Sequence, residues 1–377
     1  GDPGALCPGH GGEPLLSGDL QQHRLLFLLR AGAGDGTGLS VPVHDHGEKW
    51  QYGHLRRPLL HRGGQAGPDG DRVQEDPQRH QQTVKEACTM AFAYYLPDES
   101  GNKTEHQTEF NSVIIVGANG SGKSKLGAWM EQQNMDNIHR IGAQRNLNFK
   151  ENVPLKSYSQ AEDFVFYGTD DKRQQSGKGY RWNWGEYTTK LLDDFDNVLA
   201  ALIALKNNDN DKFVIECRAA PTKEARPDPP STAIDKLIQI WDKIFPQRKL
   251  EVDDAKFLAS MRDGTGTPYN SNQMSDGERA VLYLAAQVLC VPQGKHLIID
   301  EPEVHLHRSI MNRLWAALEK YRPDCFFIYI THDTQFAAAH GQSDKIWIRE
   351  YDGENWKLEK IQDNELPEEL LFDILGS

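Results

Sequence analysis

The sequence predicts an α/β protein whose parallel-sheet head is interrupted by an inserted, largely helical lobe. Three observations carry this. At residues 111 to 126, NSVIIVGANGSGKSKL, an apolar strand runs through a glycine-rich turn into a helix. At His296 to Glu301, HLIIDE, a buried strand ends in paired acids. Between them, over residues 150 to 270, apolar residues recur at helical rather than strand spacing.

The first stretch has a chemical spelling. Gly117 to Ser124 read GANGSGKS, which fits the phosphate-binding loop G-x-x-x-x-G-K-[ST], and the strand Val113 to Val116 and a helix carrying Leu126, Trp129 and Met130 supply the context that the motif requires. Gly120 and Gly122 let the backbone close on phosphate oxygens, and the loop N–H groups and helix N-terminus offer partial positive charge. Lys123 reaches the outer phosphates, Ser124 is a candidate magnesium ligand, and Asn119, Ser121 and Lys125 complete the candidate ATP-contacting set with Gly117.

A net charge of −13 argues against a broadly basic nucleic-acid surface, although a local basic groove stays open. The cysteines Cys7, Cys88, Cys217, Cys290 and Cys325 form no CxxC pair, so a reduced, cytoplasmic compartment is expected. The longest purely apolar run of the leader, Leu25 to Leu29, is too short to span a bilayer, and no membrane partner is expected.

Residues 1 to 82 differ from the rest: they hold 16 of the 33 glycines and neither Ile nor Asn, and they give no helix or strand period. They are expected to be an atypical leader, disordered or foreign to the fold, and their scattered histidines make a poor metal site. From residue 83 the pattern is globular. Cys88 to Tyr95 reads as a first strand, Glu109 to Val116 as the strand feeding the phosphate loop, and residues 83 to 149 as the first part of the head. Gln144, at a strand end about twenty residues after Lys123, is a candidate sensor of metal or γ-phosphate, or a plain polar loop residue.

Residues 150 to 270 form the expected lobe. Leu191 to Leu202 and Ile234 to Phe245 have helical spacing, and the Pro-rich, charged Pro221 to Ser231 reads as a mobile link. Tyr180, Trp182, Trp184 and Tyr187, with Arg173, Lys178 and Arg181, read either as a base-stacking surface or as an amphipathic strand packing on the lobe. The second part of the head, residues 271 to 377, starts with a Ser-Asp-Gly-Glu turn before a helix; Ser275, Gly277 and Glu278 are candidate ATP contacts there, and Ser275 with Glu278 also spells a capping box. Asp300 is expected to hold magnesium and Glu301 to deprotonate or orient water, while His332, in ITHD at the end of another strand, can hydrogen-bond the γ-phosphate. Ile346 to Arg349 and Trp356 to Lys360 read as a hairpin, and Leu366 to Leu375 as a short final helix.

Taken in order, GANGSGKS, Gln144, SDGER, LIIDEPE and ITHD resemble the ABC-type ATPases, over roughly residues 84 to 350. SDGE and the EPEVHLH continuation point to the RecF, SMC and OLD-like branch. The resemblance implies an ATPase head with ATP and Mg2+ as cofactors, Gln144 beside the metal, Glu301 as catalytic base and His332 as γ-phosphate switch. It also implies a homo-oligomer built from ATP-sandwich dimers, in which Lys123 and Ser124 face Ser275 and Gly277 of a second protomer. Within that branch, TVKEACTMAFAYYLP, IGAQRNLNF, NQMSDGERAVLYLAAQVL and IDEPEVHLHRSIMNRLW resemble the ATPase subunits of PARIS anti-phage defence systems. That family implies a toprim-type nuclease effector as partner and a phage anti-restriction protein as trigger. The alternative implied by the branch is a RecF- or OLD-like ATPase clamp acting on DNA in repair or recombination.

Overall fold

The structure is a computed structural model and describes residues 91–253, 255–362 and 366–376. The leader, its histidines and the Cys88 to Met90 start of the expected first strand lie outside the described residues. The chain begins with β1 (Phe92–Pro97), β2 (Lys103–Thr108) and β3 (Ser112–Val116), then α1 (Lys123–Gln133) and β4 (Ile138–Ile141). Next come α2 (Tyr158–Tyr167), α3 (Phe195–Ala219), α4 (Ala233–Ile244), β5 (Arg248–Asp253) and β6 (Lys256–Met261). The remainder is α5 (Asp276–Cys290), β7 (His296–Asp300), α6 (Arg308–Tyr321), β8 (Phe326–Thr331), α7 (Thr334–Ala339), β9 (Asp344–Tyr351), β10 (Trp356–Ile361) and α8 (Glu368–Leu375).

A six-stranded sheet runs in the order β10-β9-β3-β8-β7-β4. All its pairs are parallel except the edge hairpin β9–β10. The expected α/β head is therefore observed, with a parallel sheet closed at one edge by an antiparallel strand. The central strands are apolar along their middles, with polar residues only at their ends, because both faces are covered. Alternate residues face opposite layers: Val113, Ile115, Ile298, Ile328 and Ile330 pack with Leu126 and Met130 of α1 and with Tyr94 and Leu96 of the β1–β2 hairpin. Ile114, Val116, Leu297, Ile299, Phe327 and Tyr329 face the larger core built by α2 to α6.

The strand expected from Glu109 starts at Ser112, after a bend at Glu109 to Asn111. Helix α3 runs further than its apolar period, to Ala219. Its first part, up to Ala204, is buried, and its later KNNDNDK stretch is mostly exposed. No Gly or Pro interrupts it before Pro221, so nothing local ends the helix sooner. Pro221 to Ser231 is irregular and exposed along its whole length.

The aromatic run forms no strand. It folds as short turns in which Lys178, Arg181 and Trp182 point inward while Tyr180 and Trp184 stay exposed. Trp182 lies against the Arg140 guanidinium, 3.9 Å from its ring centroid. The inward turn has an electrostatic cause. Glu131 of α1 is fully buried and takes ion pairs from Arg140 at 3.0 Å and Lys178 at 3.1 Å. Burial alone would push its carboxyl upward, but the Lys178, Arg140 and Arg181 charges hold it below the ordinary glutamate range. Burial in turn draws the Lys178 ammonium down to about 8. Beside this group Arg181 bonds Asp194 at 3.0 Å, and Asp194 accepts from Tyr283 at 2.7 Å and Gln287 at 2.9 Å. Gln287 closes the chain on buried His139 of β4 at 2.8 Å. These polar ties bind the 158–194 segment and α5 to the sheet edge.

Removing the anion from such a cluster leaves buried cations without a partner, which costs about 3–5 kcal/mol. Glu131→Gln is expected to lower the unfolding free energy by an amount of that order, read as a fall of the urea midpoint by that energy divided by the m-value, while Lys172→Ala, at the surface, leaves the midpoint in place. An unchanged midpoint in the Glu131 variant would show that the cluster contributes nothing to stability.

Candidate nucleotide site

The loop between β3 and α1 is shaped by two left-handed glycines, Gly120 at φ +81° and Gly122 at φ +75°. At Gly122 a side chain is excluded twice, since a Cβ there would lie 2.8 Å from the Tyr351 ring and 2.9 Å from Trp356 Nε1. Trp356 Nε1 donates to the Gly122 carbonyl at 3.3 Å, and Lys125 Nζ to the Tyr351 hydroxyl at 3.0 Å, so the β9–β10 hairpin braces the loop from behind. Lys123 is buried at the start of α1. Its Nζ donates to the carbonyls of Gly117 at 3.1 Å and Ala118 at 2.9 Å and lies 3.8 Å from Glu301 Oε1. Asn119 and Gly120 are exposed at the loop tip, and the buried Ser121 hydroxyl has no protein partner.

Two neighbouring strands bring acids and a histidine to the same end of the sheet. Asp300 closes β7, and Glu301 follows in a left-handed conformation at φ +52°, its N–H tied to the Ile330 carbonyl at 2.9 Å. His332 follows β8 and contacts Glu301 Oε2 through Nδ1 at 2.6 Å. Glu303, whose Oε1 lies 3.2 Å from His332 Nδ1, also accepts from the Thr331 hydroxyl at 2.6 Å. Burial raises the Asp300 and Glu301 carboxyls above their usual range, and the charges of Lys123 and Arg145 oppose that rise. Burial and the adjacent Glu301 push Glu303 further, to about 7.

Sequence reasoning passed over Glu303 and Arg145. Glu303 was visible only as the second acid of EPE, and Arg145 as a polar neighbour of Gln144. Gln144 itself is exposed, its carbonyl accepting from Leu192 N–H at 3.0 Å. Arg145 is buried, with Nη2 donating to the Glu301 carbonyl at 2.9 Å.

Ser275 and Gly277 stand elsewhere, at the head of α5. Ser275 caps the helix, its hydroxyl accepting from Glu278 N–H at 3.3 Å, beside an open cavity of about 450 Å³ that Arg248, Tyr269 and Gln273 also line. Glu278 forms the capping box that its spacing from Ser275 spells. Its buried carboxylate takes the Ser275 N–H at 2.8 Å, the Tyr269 hydroxyl at 2.7 Å and Arg248, so the capping reading accounts for it.

The donor set fits a magnesium ion. Asp300 is 1% exposed with Oδ1 unpartnered, and the nearby Ser124 hydroxyl opposes the upward push of burial on its carboxyl. Hard oxygen donors at a phosphate loop suit Mg2+, which would neutralise phosphate charge there. Asp300 and Ser124 are the residues that would hold it. Glu301, Glu303 and His332 also offer ligand atoms within 4.8 Å of one another, but their mutual hydrogen bonds make an acid–base group.

A phosphate loop at the carboxyl end of β3, with a histidine from the adjacent strand β8 and an acid pair from β7 beyond it, defines a P-loop ATPase head. Residues 166–338 match the family described as "AAA domain, putative AbiEii toxin, Type IV TA system". No curated protein matches the chain. Among solved structures, one is the Smc head bound to the C-winged helix domain of ScpA, with 15% identity, 72% of this chain and 98% of that chain covered, and a TM-score of 0.37. Another is an inward-facing putative metal-chelate type ABC transporter, with 12% identity, 76% and 88% covered, and a TM-score of 0.34. A third, from work on ATP-driven dimerisation and DNA-stimulated activation of SMC ATPases, shows 18% identity, 44% and 95% covered, and a TM-score of 0.30. No described helix is long and apolar enough to cross a membrane.

Glu303 sets a pH dependence. Its folded value of about 7 lies above the ordinary 4.5, so the stability it contributes is full below 4.5 and is lost as pH rises through 7. Glu303→Gln removes that loss. Thermal melts of the variant should rise relative to wild type between about pH 5 and 8; a flat or opposite difference would mean that Glu303 is ionised in the fold.

Proposed function

We propose that the chain is an ATP-hydrolysing switch of anti-phage defence, of the kind represented by AriA, the ATPase subunit of PARIS. The observation that carries the hydrolytic half is the convergence of Lys123, Asp300, Glu301 and His332 at the carboxyl ends of β3, β7 and β8. Lys123 Nζ would exchange the Gly117 and Ala118 carbonyls for phosphate oxygens, alongside loop N–H groups aimed at the same anion. Glu301 would accept the proton of the attacking water. His332, hydrogen-bonded to Glu301, would orient that carboxylate and report on the γ-phosphate. A homodimer with ATP between protomers would bring Ser275 and Gly277 of one copy to the phosphates held by the other.

The defence half rests on the wording of the motif stretches, and the toxin–antitoxin description of the matching family agrees with it. In this reading the ATP-sandwiched and open states differ in affinity for a toprim-type nuclease, and a phage anti-restriction protein triggers its release. Hydrolysis shifts the equilibrium between the two states.

Glu301→Gln should bind ATP and keep the nuclease while turnover falls at least ~100-fold, as loss of a general base entails. The check is mass spectrometry of what copurifies from cells carrying the neighbouring genes, with and without trigger. Release equal to wild type would sink the switch, and DNA retained in place of a protein would favour a repair clamp. Lys123→Ala should lose nucleotide binding, read by calorimetry; unchanged affinity would remove Lys123 from the site.

A further inference from the structure

Glu301 occupies a conformation that an L-residue with a long side chain adopts only when its surroundings impose it, at a cost of about 1–3 kcal/mol. Two backbone bonds hold it, the Glu301 N–H on the Ile330 carbonyl at 2.9 Å and the Val304 N–H on the Glu301 carbonyl at 3.2 Å, and one side chain joins them. Arg145 is 5% exposed and stands among Asp300, Glu301 and Glu303; its two terminal nitrogens donate to backbone carbonyls, while Nε has no hydrogen-bond partner. Nη2 reaches the Glu301 carbonyl at 2.9 Å and the Val304 carbonyl at 3.5 Å, while Nη1 reaches Gly142 at 3.5 Å. One planar fork therefore ties the end of β4 to both sides of the turn after β7. The backbone at its root is fixed as well, by the parallel bridge Arg145↔Leu192 and by the Asn146 N–H on the Leu192 carbonyl at 2.7 Å.

We infer that Arg145 is a positioning residue for hydrolysis: by holding the Glu301 carbonyl it aims the Glu301 carboxylate, and by its charge it keeps the acid group from repelling a phosphate. The inference rests on the ATPase reading above. Lysine cannot replace it, because an ammonium is a point donor without the rigid fork that spans two carbonyls. A misaimed base is a defect of the chemical step and leaves ground-state binding alone.

The test compares Arg145→Met and Arg145→Lys with wild type and Lys123→Ala, measuring thermal melting, ATP affinity by calorimetry, and kcat and KM for ATP. For both variants kcat is expected to fall about 100-fold, with ATP affinity and KM within threefold of wild type. The lysine variant retains the charge and so decides the question if the methionine variant fails to fold. Wild-type kcat in either folded variant, or a loss confined to KM, would overturn the role of Arg145. A wild type that does not hydrolyse ATP, or a Lys123→Ala protein as active as wild type, would instead overturn the ATPase reading itself.

Discussion

The arrangement depends on keeping charge at the end of a strand that is buried from Leu297 onward. Asp300 and Glu301 close β7 between β4 and β8, where both sheet faces are covered. A carboxylate in such a place drifts toward its neutral form unless cations and donors oppose the loss of hydration. Lys123 comes from the helix after β3, Arg145 from the loop after β4 and His332 from the end of β8. Each strand bordering or near β7 thus sends one group to the same point, and the parallel order of the sheet is what lets their carboxyl ends meet.

A second polar layer lies further along the β4 edge. Glu131, Arg140 and Lys178 form one cluster, and Arg181, Asp194, Tyr283, Gln287 and His139 form another. Apolar packing by itself would allow the 158–194 segment several seats on α5 and β4. Directional bonds to buried groups permit few, because each displaced donor or acceptor would be left unsatisfied in a low-dielectric interior. The segment is therefore held by geometry as well as by area.

The parts legible in the sequence are those in which chemistry is local. The strand, loop and helix around Lys123 are spelled contiguously, and so is the apolar strand before Asp300, since backbone shape and ligand contact there come from neighbouring residues. Arg145 and Glu303 were illegible for the opposite reason: their partners, Glu301 for one and Thr331 and His332 for the other, are brought by tertiary folding. The turn at Tyr180 to Tyr187 was misjudged in the same way. Lys178 and Arg181 look like surface cations until Glu131 and Asp194, distant in sequence, are seen to receive them. At Ser275 and Glu278 one spelling admits two purposes, and the structure forms the helix cap there.

The two polar layers meet at Leu192. Its backbone bonds Gln144 and Asn146, so the residues that carry Arg145 form a short bridge with the segment that the buried ion cluster seats. The Arg145–Leu192 bridge thus connects that segment to the Arg145 side chain, which shares the Glu301 carbonyl with the Val304 N–H. A close-packed interior of this kind passes displacement on through discrete rearrangement of bonds, because it has little room to deform smoothly. Residues 178 to 192 and the acid pair are thus joined by one continuous run of hydrogen bonds through Leu192 and Arg145.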